Sequence, residues 1–189
     1  MRIIAGKFKS RRIATLRGTA LRPTSDRLRE TLFNILGAAV EGSLFVDLYA
    51  GTGAVGLEAL SRGARTVIFI EKHRAGVALI KKNLTAVGIR EGAMVLGCDA
   101  LHGLEQLEAE WRDWQLPASF FFLDPPYAKT SAYHTVLAHL ENSPLLTAAS
   151  FVIAEHARRV QLPERVGRLA RTRLVGQGDT ALSFYRLES

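Results

Sequence analysis

A regular alternation of strand and helix patterns begins near residue 44 and constrains the fold of this 189-residue chain. The strand patterns read SLFVDLY, TVIFI, AMVLGC, SFFFLD and SFVIAE, and amphipathic helical segments separate them. Strands that alternate with helices form right-handed βαβ units, so they lie parallel in one sheet with both faces covered. After Pro163 the pattern changes to two strands, over residues 168–175 and 180–187, joined by a glycine-rich turn. We therefore predict an α/β fold with a mostly parallel, seven-stranded, Rossmann-like sheet that ends in an antiparallel hairpin.

The fourth strand pattern, FFFLDPPY at residues 120–127, ends in an unusual group of residues. Four apolar residues in a row predict a strand that is buried on both faces. Asp124 then precedes two prolines, which cannot continue a sheet ladder, and the aromatic ring of Tyr127. The carboxyl edge of such a sheet is where ligands bind. This segment is therefore a candidate site, although a strand that ends in a simple proline turn would look the same.

A glycine loop, DLYAGTGAVG at residues 47–56, joins the first strand to its helix. Its glycines permit a tight turn, close approach of a ligand and close packing of the helix on the sheet. The loop satisfies the G-x-G-x-x-G pattern of dinucleotide sites. Glu71 ends the second strand, 20 residues after Gly51, where a carboxylate can bind both hydroxyls of a ribose. NAD and S-adenosylmethionine both fit these features.

Two further acids favour a cationic cofactor. Asp47 precedes the loop by four residues and Asp99 ends the third strand, where it can accept a hydrogen bond from an adenine amino group. Negative charge beside the loop suits an ammonium and a sulfonium, and it suits a pyrophosphate poorly. For each acid alone, a helix N-cap is the simpler interpretation. Together with the loop they predict S-adenosylmethionine.

With a methyl donor over the first strands, Asp124 lies beside the group to be transferred. The carboxylate of Asp124 and the carbonyl of Pro125 can accept the two hydrogens of an exocyclic amine, which localises the nitrogen lone pair. Pro126 holds this carbonyl in place, and Tyr127 offers a face on which a flipped-out base can stack. The predicted catalytic residues are therefore Asp124, Pro125, Pro126 and Tyr127.

The net charge of +7 is concentrated at one end of the chain. Residues 1–36 contain nine basic and two acidic residues, a surplus of seven, so the other 153 residues sum to zero. Two short strands and a helix at residues 26–36, capped by Thr24 or Ser25 and ended by Gly37, make this region a structured arm. A basic arm on a neutral body is expected for a nucleic-acid partner. The predicted nucleic-acid-binding residues are Arg2, Lys7, Lys9, Arg11, Arg12, Arg22, Arg27 and Arg29.

Composition limits the other possibilities. The single cysteine, Cys98, excludes an internal disulfide and fits a reducing compartment. We expect a soluble, cytoplasmic protein, because no apolar run could span a membrane and the N-terminus has no signal-peptide pattern. The five histidines show no metal-ligand spacing, so no metal site is expected.

The chain resembles the RsmD-type methyltransferases, which methylate the N2 amino group of a guanine in bacterial small-subunit ribosomal RNA. The resemblance covers nearly the whole chain and is most specific in RIIAGKFKSRRI and in RPTSDRLRETLFN at residues 22–34. DLYAGTGAVGLEALSRGA and LDPPY are similar to motifs shared by many amino-methylating enzymes. The resemblance implies a class I methyltransferase fold over residues 37–189 and an RNA-binding arm over residues 1–36, with ribosomal RNA in a small-subunit or assembly particle as the substrate. It assigns the cofactor to Asp47, Tyr49, Gly51, Thr52, Gly53, Glu71, Asp99 and Ala100. A compact catalytic domain with its own arm is expected to act as a monomer.

Three alternatives stay open at the level of the sequence. Tyr127 also occurs in adenine-N6 methyltransferases of DNA or RNA, whereas many relatives carry Phe there. The glycine loop alone would suit an NAD-dependent oxidoreductase. A non-catalytic RNA-binding assembly factor would have no need of residues 124–127. If the arm is a separate appendage, deletion of residues 1–20 is expected to leave cofactor affinity nearly unchanged.

Overall fold

The computed structural model describes residues 1–15, 25–110, 118–126 and 130–188. Its strands are β1 (Leu44–Asp47), β2 (Thr66–Ile70), β3 (Ala93–Leu96), β4 (Ala118–Leu123), β5 (Phe151–Ala157), β6 (Arg165–Val166), β7 (Leu169–Gln177) and β8 (Thr180–Leu187). Its helices are α1 (Asp26–Leu36), α2 (Ala54–Ser61), α3 (Arg74–Val87), α4 (Ala100–Glu110) and α5 (Thr130–Leu140), with a 3₁₀ turn at Gly37–Val40.

All eight strands form one sheet in the order β3-β2-β1-β4-β5-β8-β7-β6. The first five strands pair in parallel, and β6, β7 and β8 pair antiparallel. The strand order reverses between β1 and β4, which creates the crevice where ligands bind in sheets of this kind. The Rossmann-like architecture predicted from the alternating pattern is confirmed.

The predicted number of seven strands is one too few. The additional strand, β6, has two residues and pairs with the start of β7. Gly167, at φ +52°, turns the chain between them. So short a strand has no period that a sequence pattern could reveal. The predicted hairpin is present, and β7 runs to Gln177, which leaves Gly178 and Asp179 as the turn.

The FFFL segment is buried on both faces of the sheet, as its sequence predicted. Phe120 and Phe122 join the core on the α1, α2 and α3 side, whereas Phe121 and Leu123 join the core on the α4 and α5 side. On the first face a row of rings runs across the sheet: Phe45 lies 6.0 Å from Phe33 of α1 and 5.9 Å from Phe120, measured between ring centroids. This packing fixes the position of β4, and therefore of Asp124, which follows it.

The N-terminal region forms the predicted helix, but in the described residues the two predicted strands are reduced to one isolated bridge. Ser25 accepts a hydrogen bond from the Leu28 amide and caps α1, and Gly37 ends it. Arg2 and Arg12 form an antiparallel bridge, flanked by the bond from the Ile3 amide to the Arg11 carbonyl at 3.0 Å. The apolar residues of this region belong to the same core as the sheet, so packing shows no domain boundary at residue 36. The division into two domains there stays a prediction.

No helix in the described ranges combines the length and apolar character needed to cross a membrane. Nor do the described side chains bring three or more potential metal ligands together.

Candidate active site

A cavity of about 230 Å³ lies at the carboxyl edge of the sheet, beside the point where the strand order reverses. Its wall joins the ends of β1, β2, β3 and β4 to one side of α5. Of the predicted cofactor residues, the wall contains Tyr49, Gly51, Glu71, Asp99 and Ala100, and of the predicted catalytic residues it contains Asp124 and Pro126. Two motifs far apart in the sequence therefore share one cavity.

The glycine loop has the geometry that its sequence predicted. Gly53, at φ +79°, begins α2 in a left-handed conformation that favours glycine. At Gly56 a Cβ atom would lie 2.3 Å from the ring of Phe69, so only glycine allows α2 to pack this closely on β2. Thr52 and Gly53 do not form part of the cavity wall, and their predicted contact with the cofactor stays a prediction.

Glu71 is held in place at the end of β2. One carboxylate oxygen accepts a hydrogen bond from the Gly51 amide at 2.9 Å, and the other accepts one from the His73 amide at 2.7 Å. Each oxygen keeps a second lone pair for a ligand. A fixed carboxylate with free acceptor capacity suits the adjacent hydroxyls of a ribose.

Asp99 caps a helix and also lines the cavity, while its predicted contact with the cofactor stays a prediction. One of its oxygens accepts hydrogen bonds from the amides of Leu101 and His102, at 3.1 and 3.2 Å, and so caps α4. The residue is also exposed and lines the cavity. Capping uses one oxygen and leaves the other available to a ligand.

Asp47 lies behind the loop and is 2% exposed. It accepts a hydrogen bond from the Gly56 amide at 3.2 Å. Burial raises the pKa of Asp47 to about 7, the Gly56 bond opposes this rise, and the negative charge of Glu71 adds to it. Asp47 can therefore place a charge near the loop, but it does not line the cavity.

Asp124 is half-buried where β4 ends, and the β4–β5 register places it beside Glu155. Burial raises the pKa of Asp124 well above its usual range, and the nearby Glu155 and Asp47 carboxylates raise it further. Pro125 is buried and Pro126 is exposed, while Tyr127 lies outside the described residues. The structure therefore places three of the four predicted catalytic residues.

Several cavity residues were missed by the sequence reasoning. Ala132, Thr135 and Val136 of α5 form one wall, and Cys98 lies beside Asp99. Cys98 is half-buried and accessible from the cavity. Helix α5 directly follows the candidate catalytic segment in the sequence, and this closeness could have predicted that α5 contributes to the cavity.

The cavity suits a cationic adenosyl cofactor. Carboxylates of Glu71, Asp99 and Asp124 surround an apolar wall that includes Leu48 and Ile70. Acidic groups attract an ammonium and a sulfonium and repel a pyrophosphate, while the apolar wall suits an adenine ring. The fold and this cavity define an S-adenosylmethionine-dependent methyltransferase.

Comparison with known proteins agrees with this class. The model of the family described as "Conserved hypothetical protein 95" matches residues 1–186. "Ribosomal RNA small subunit methyltransferase D" of Haemophilus influenzae is 36% identical over 166 residues, which cover 87% of this chain and 83% of that protein. The chain belongs to this family, the RsmD-type ribosomal RNA methyltransferases.

Two solved structures support the fold. The yhhF protein of Escherichia coli aligns with a TM-score of 0.83 and 32% identity, over 100% of this chain and 98% of that one. An RNA methyltransferase from Salinibacter ruber, in complex with S-adenosyl-L-homocysteine, aligns with a TM-score of 0.65 over 88% of this chain and 94% of that one. At 16% identity the second likeness shows the fold alone. Family membership leaves the oxidoreductase hypothesis without support.

The predicted nucleic-acid residues other than Arg29 divide into three groups. Arg2, Lys7, Lys9, Arg12 and Arg27 are exposed, and Arg2, Lys9 and Arg27 surround one cleft of about 360 Å³. Arg11 is also exposed, but it donates a hydrogen bond to the Val87 carbonyl at the end of α3. Arg22 lies outside the described residues.

The prediction for Arg29 is wrong. Its side chain is fully buried, forms an ion pair with Asp26 at 3.1 Å, and donates to the Arg2 carbonyl at 2.6 Å. Its Nε atom lies 3.7 Å from a carboxylate oxygen of the buried Glu58. Helix α1 rotates this arginine toward α2 because Arg29 adjoins the apolar stripe of Leu28, Leu32 and Phe33. Arg29 is therefore part of the core.

Proposed function

We propose that this protein transfers a methyl group from S-adenosylmethionine to the N2 amino group of a guanine in small-subunit ribosomal RNA. The observation that carries this is the position of Asp124, which lines the same cavity as Glu71 and Asp99. An acceptor for an amine thus lies within the cavity that suits the methyl donor. Catalysis would depend mainly on orientation of the two reactants.

When bound, S-adenosylmethionine supplies an electrophilic methyl group on a sulfonium. The lone pair of an aromatic amine is delocalised into its ring, so the protein must localise it. The Asp124 carboxylate and the Pro125 carbonyl can each accept one amine hydrogen, and the two consecutive prolines, of which Pro125 is buried, hold that carbonyl rigidly. The amine nitrogen is then directed into the cavity.

The environment of Asp124 also suits removal of a proton. The amine carries an excess proton after it is methylated, and a carboxylate with a raised pKa is a better base than an ordinary one. Burial and the neighbouring Glu155 and Asp47 raise the pKa of Asp124. Asp124 can therefore position the amine first and accept its proton afterwards.

Ribosomal RNA as the substrate is supported by the family. A relative of 36% identity carries a name that states the small-subunit ribosomal RNA as its substrate. The exposed cations around the cleft at Arg2, Lys9 and Arg27 provide a surface for the phosphates of such an RNA. We further infer that the enzyme works in the cytoplasm as a monomer, on RNA within a small-subunit or assembly particle.

Nucleoside analysis tests the base and the RNA together. Small-subunit RNA from a deletion strain should lack one N2-methylguanine, and the purified protein with labelled donor should restore it. Asp124→Asn should abolish this activity, whereas Asp179→Asn, the same change in the exposed hairpin turn, should not. Unchanged N2-methylguanine in the deletion strain would refute the guanine assignment. Loss of N6-methyladenine instead would support the adenine alternative.

A further inference from the structure

A second basic segment lies far from the N-terminal arm. Residues 158–173 contain six arginines and one acid, Glu164, which gives a local surplus of six minus one, or +5. Acidic residues elsewhere cancel this surplus in the total for residues 37–189. The sum over that region therefore conceals a local concentration of positive charge.

The fold uses three of these six arginines. Arg165 pairs with Glu188, Arg168 donates to the Glu141 carbonyl, and Arg171 donates to the Leu162 carbonyl and to Glu164. The other three, Arg158, Arg159 and Arg173, are exposed. Within the described ranges, their guanidinium groups have no hydrogen-bond or ion-pair partner in the protein. These cations are available to an anionic partner.

Arg158 lies in a groove of about 890 Å³ between α5 and the C-terminal hairpin. Ala181 and Gly176 also line it, and a Cβ atom on Gly176 would lie 3.6 Å from the Arg158 Nε, so the Arg158 side chain lies over Gly176. Leu174, at the rim, is 54% exposed. The groove thus combines cationic groups with an exposed apolar side chain.

The groove adjoins the active site. His134 of α5 lines the groove, whereas Thr135 and Val136 of the same helix line the cofactor cavity. The Tyr133 hydroxyl donates to the Glu155 carbonyl at 2.7 Å, which ties α5 to β5. A single fixed helix therefore separates the two.

Histidine adds little charge to this surface. His156 is 2% exposed, bonds to Ser183 at 2.9 Å, and has its pKa lowered by burial, which favours the neutral ring. Glu164 partly neutralises Arg171, with which it pairs at 3.1 Å. Arg158 is therefore the dominant free cation of the groove, and Leu174 and His134 supply apolar and flat surfaces beside it.

We propose that this groove binds the RNA strand that flanks the target nucleotide, with Arg158 on a phosphate and Leu174 and His134 against a ribose or base. This inference rests on the proposed function only in taking RNA as the substrate. Cationic groups beside flat or apolar ones suit single-stranded RNA, whose phosphates and unstacked bases need both. The arm and the groove would then bind RNA on two sides of the catalytic segment.

Arg158→Glu and Arg173→Glu form a matched pair for the test. Both arginines are exposed and unpaired in the described ranges, and both substitutions change the charge by two. Arg173 lies on the opposite face of the sheet, because its β7 neighbours Leu174 and Gly176 face the groove. Arg158→Glu should weaken binding to naked small-subunit RNA about tenfold and raise the KM for RNA, with cofactor affinity and Tm unchanged. Arg173→Glu should change neither quantity more than about twofold.

Leu174→Glu provides a second test, because this exposed position accepts a charge without disturbing the core. Like Arg158→Glu, it should weaken RNA binding. Equal effects of Arg158→Glu and Arg173→Glu, or no effect of either groove variant, would overturn the inference. Weaker binding to small-subunit particles alone, with naked RNA unaffected, would also overturn it and indicate a protein partner. A wild-type product other than N2-methylguanine would refute the guanine assignment but leave this comparison valid.

Discussion

Asn83 of α3 and Ala14 of the N-terminal segment are joined by two hydrogen bonds. The backbone amide of Ala14 donates to the side-chain oxygen of Asn83 at 2.9 Å, and the side-chain amide of Asn83 donates to the Ala14 carbonyl at 3.1 Å. The same side chain also donates to the carbonyl of Thr52, in the glycine loop, at 2.9 Å. One side chain, 1% exposed, thus connects the arm to the loop beside the cofactor cavity.

Asn83→Ala is expected to weaken both stability and cofactor binding. It leaves half-buried backbone groups of Ala14 and Thr52 without partners, a loss of at most about 1–3 kcal/mol for each group. Thermal unfolding and calorimetric titration with S-adenosylhomocysteine measure the two effects, and Lys82→Ala, at the exposed neighbouring position, is the control. An unchanged cofactor Kd in Asn83→Ala would show that the loop does not depend on this contact.

The contact also reverses the expectation for the arm, because deletion of residues 1–20 should now reduce cofactor affinity.

Arg27 and Arg29 should respond in opposite ways to substitution. Arg29 is buried against Glu58, and breaking a buried ion pair by removing one partner costs about 3–5 kcal/mol. Arg27 is exposed beside the basic cleft, so its loss should weaken RNA binding without changing stability. Urea unfolding and filter binding of Arg27→Gln and Arg29→Gln separate these effects. Equal stability of the two variants would contradict the core role of Arg29.

The sequence predicted the sheet well because its information is local. Alternating apolar patterns located β1 to β5, and the Ser25 cap and Gly37 bounded α1 correctly. The glycine spacing likewise predicted the close packing of Gly56 on Phe69. Each of these features depends on neighbours in the chain or on a rule of strand connection.

The features that the sequence did not reveal depend on how separate elements rotate toward each other. Arg27 and Arg29 look alike as charges, and only the rotation of α1 against α2 buries one of them. The groove at Arg158 requires α5 and the hairpin to come together, which no local period encodes. The net charge of residues 37–189 did not predict this groove either, because acidic residues elsewhere balance the arginines of residues 158–173.

Stability should fall as pH rises through the range in which Asp47 ionises. Its folded pKa of about 7 lies above the ordinary value of 3.8, so the folded protein binds the proton more tightly than the unfolded chain. This contribution is fully present below pH 4 and is lost by pH 7. At 1.36 kcal/mol per pKa unit, it amounts to about 4 kcal/mol.

Asp47→Asn should flatten this dependence, because the amide oxygen can still accept from Gly56 without ionising. The variant should be more stable than the wild type at pH 8 and similar to it near pH 4, by urea unfolding at both values. Some slope should persist, because the pKa of Asp124 is raised in the same direction. Parallel pH profiles for the two proteins would contradict the assignment to Asp47.

The slope of log K for RNA binding against log salt concentration measures how many cations contact phosphates. If the five exposed cations of the arm that have no hydrogen bond to the described residues each neutralise one phosphate, the slope for single-stranded RNA is about −3.5, or roughly a 100-fold loss between 50 and 200 mM salt. Arg12→Gln should reduce the magnitude of this slope by about 0.7. Arg65→Gln, at the amino edge of the sheet, is the control. A flat salt response would exclude the arm from RNA binding.

Cys98 can report cofactor binding directly, because it is the single cysteine of the chain and lines the cofactor cavity. Burial and the charge of Asp99 raise the pKa of its thiol, so alkylation by iodoacetamide should be slow at pH 7 and faster at alkaline pH. Saturating S-adenosylhomocysteine should slow the reaction at least about tenfold if the ligand covers the thiol. Asp99→Asn should speed alkylation of the free protein because it removes a negative charge, and it should also weaken protection by the ligand. Intact-mass spectrometry over time measures all of these rates. Equal alkylation rates with and without ligand would show that the cofactor does not occupy this cavity. If the ligand still protects Cys98 in Asp124→Asn, cofactor binding is separate from catalysis.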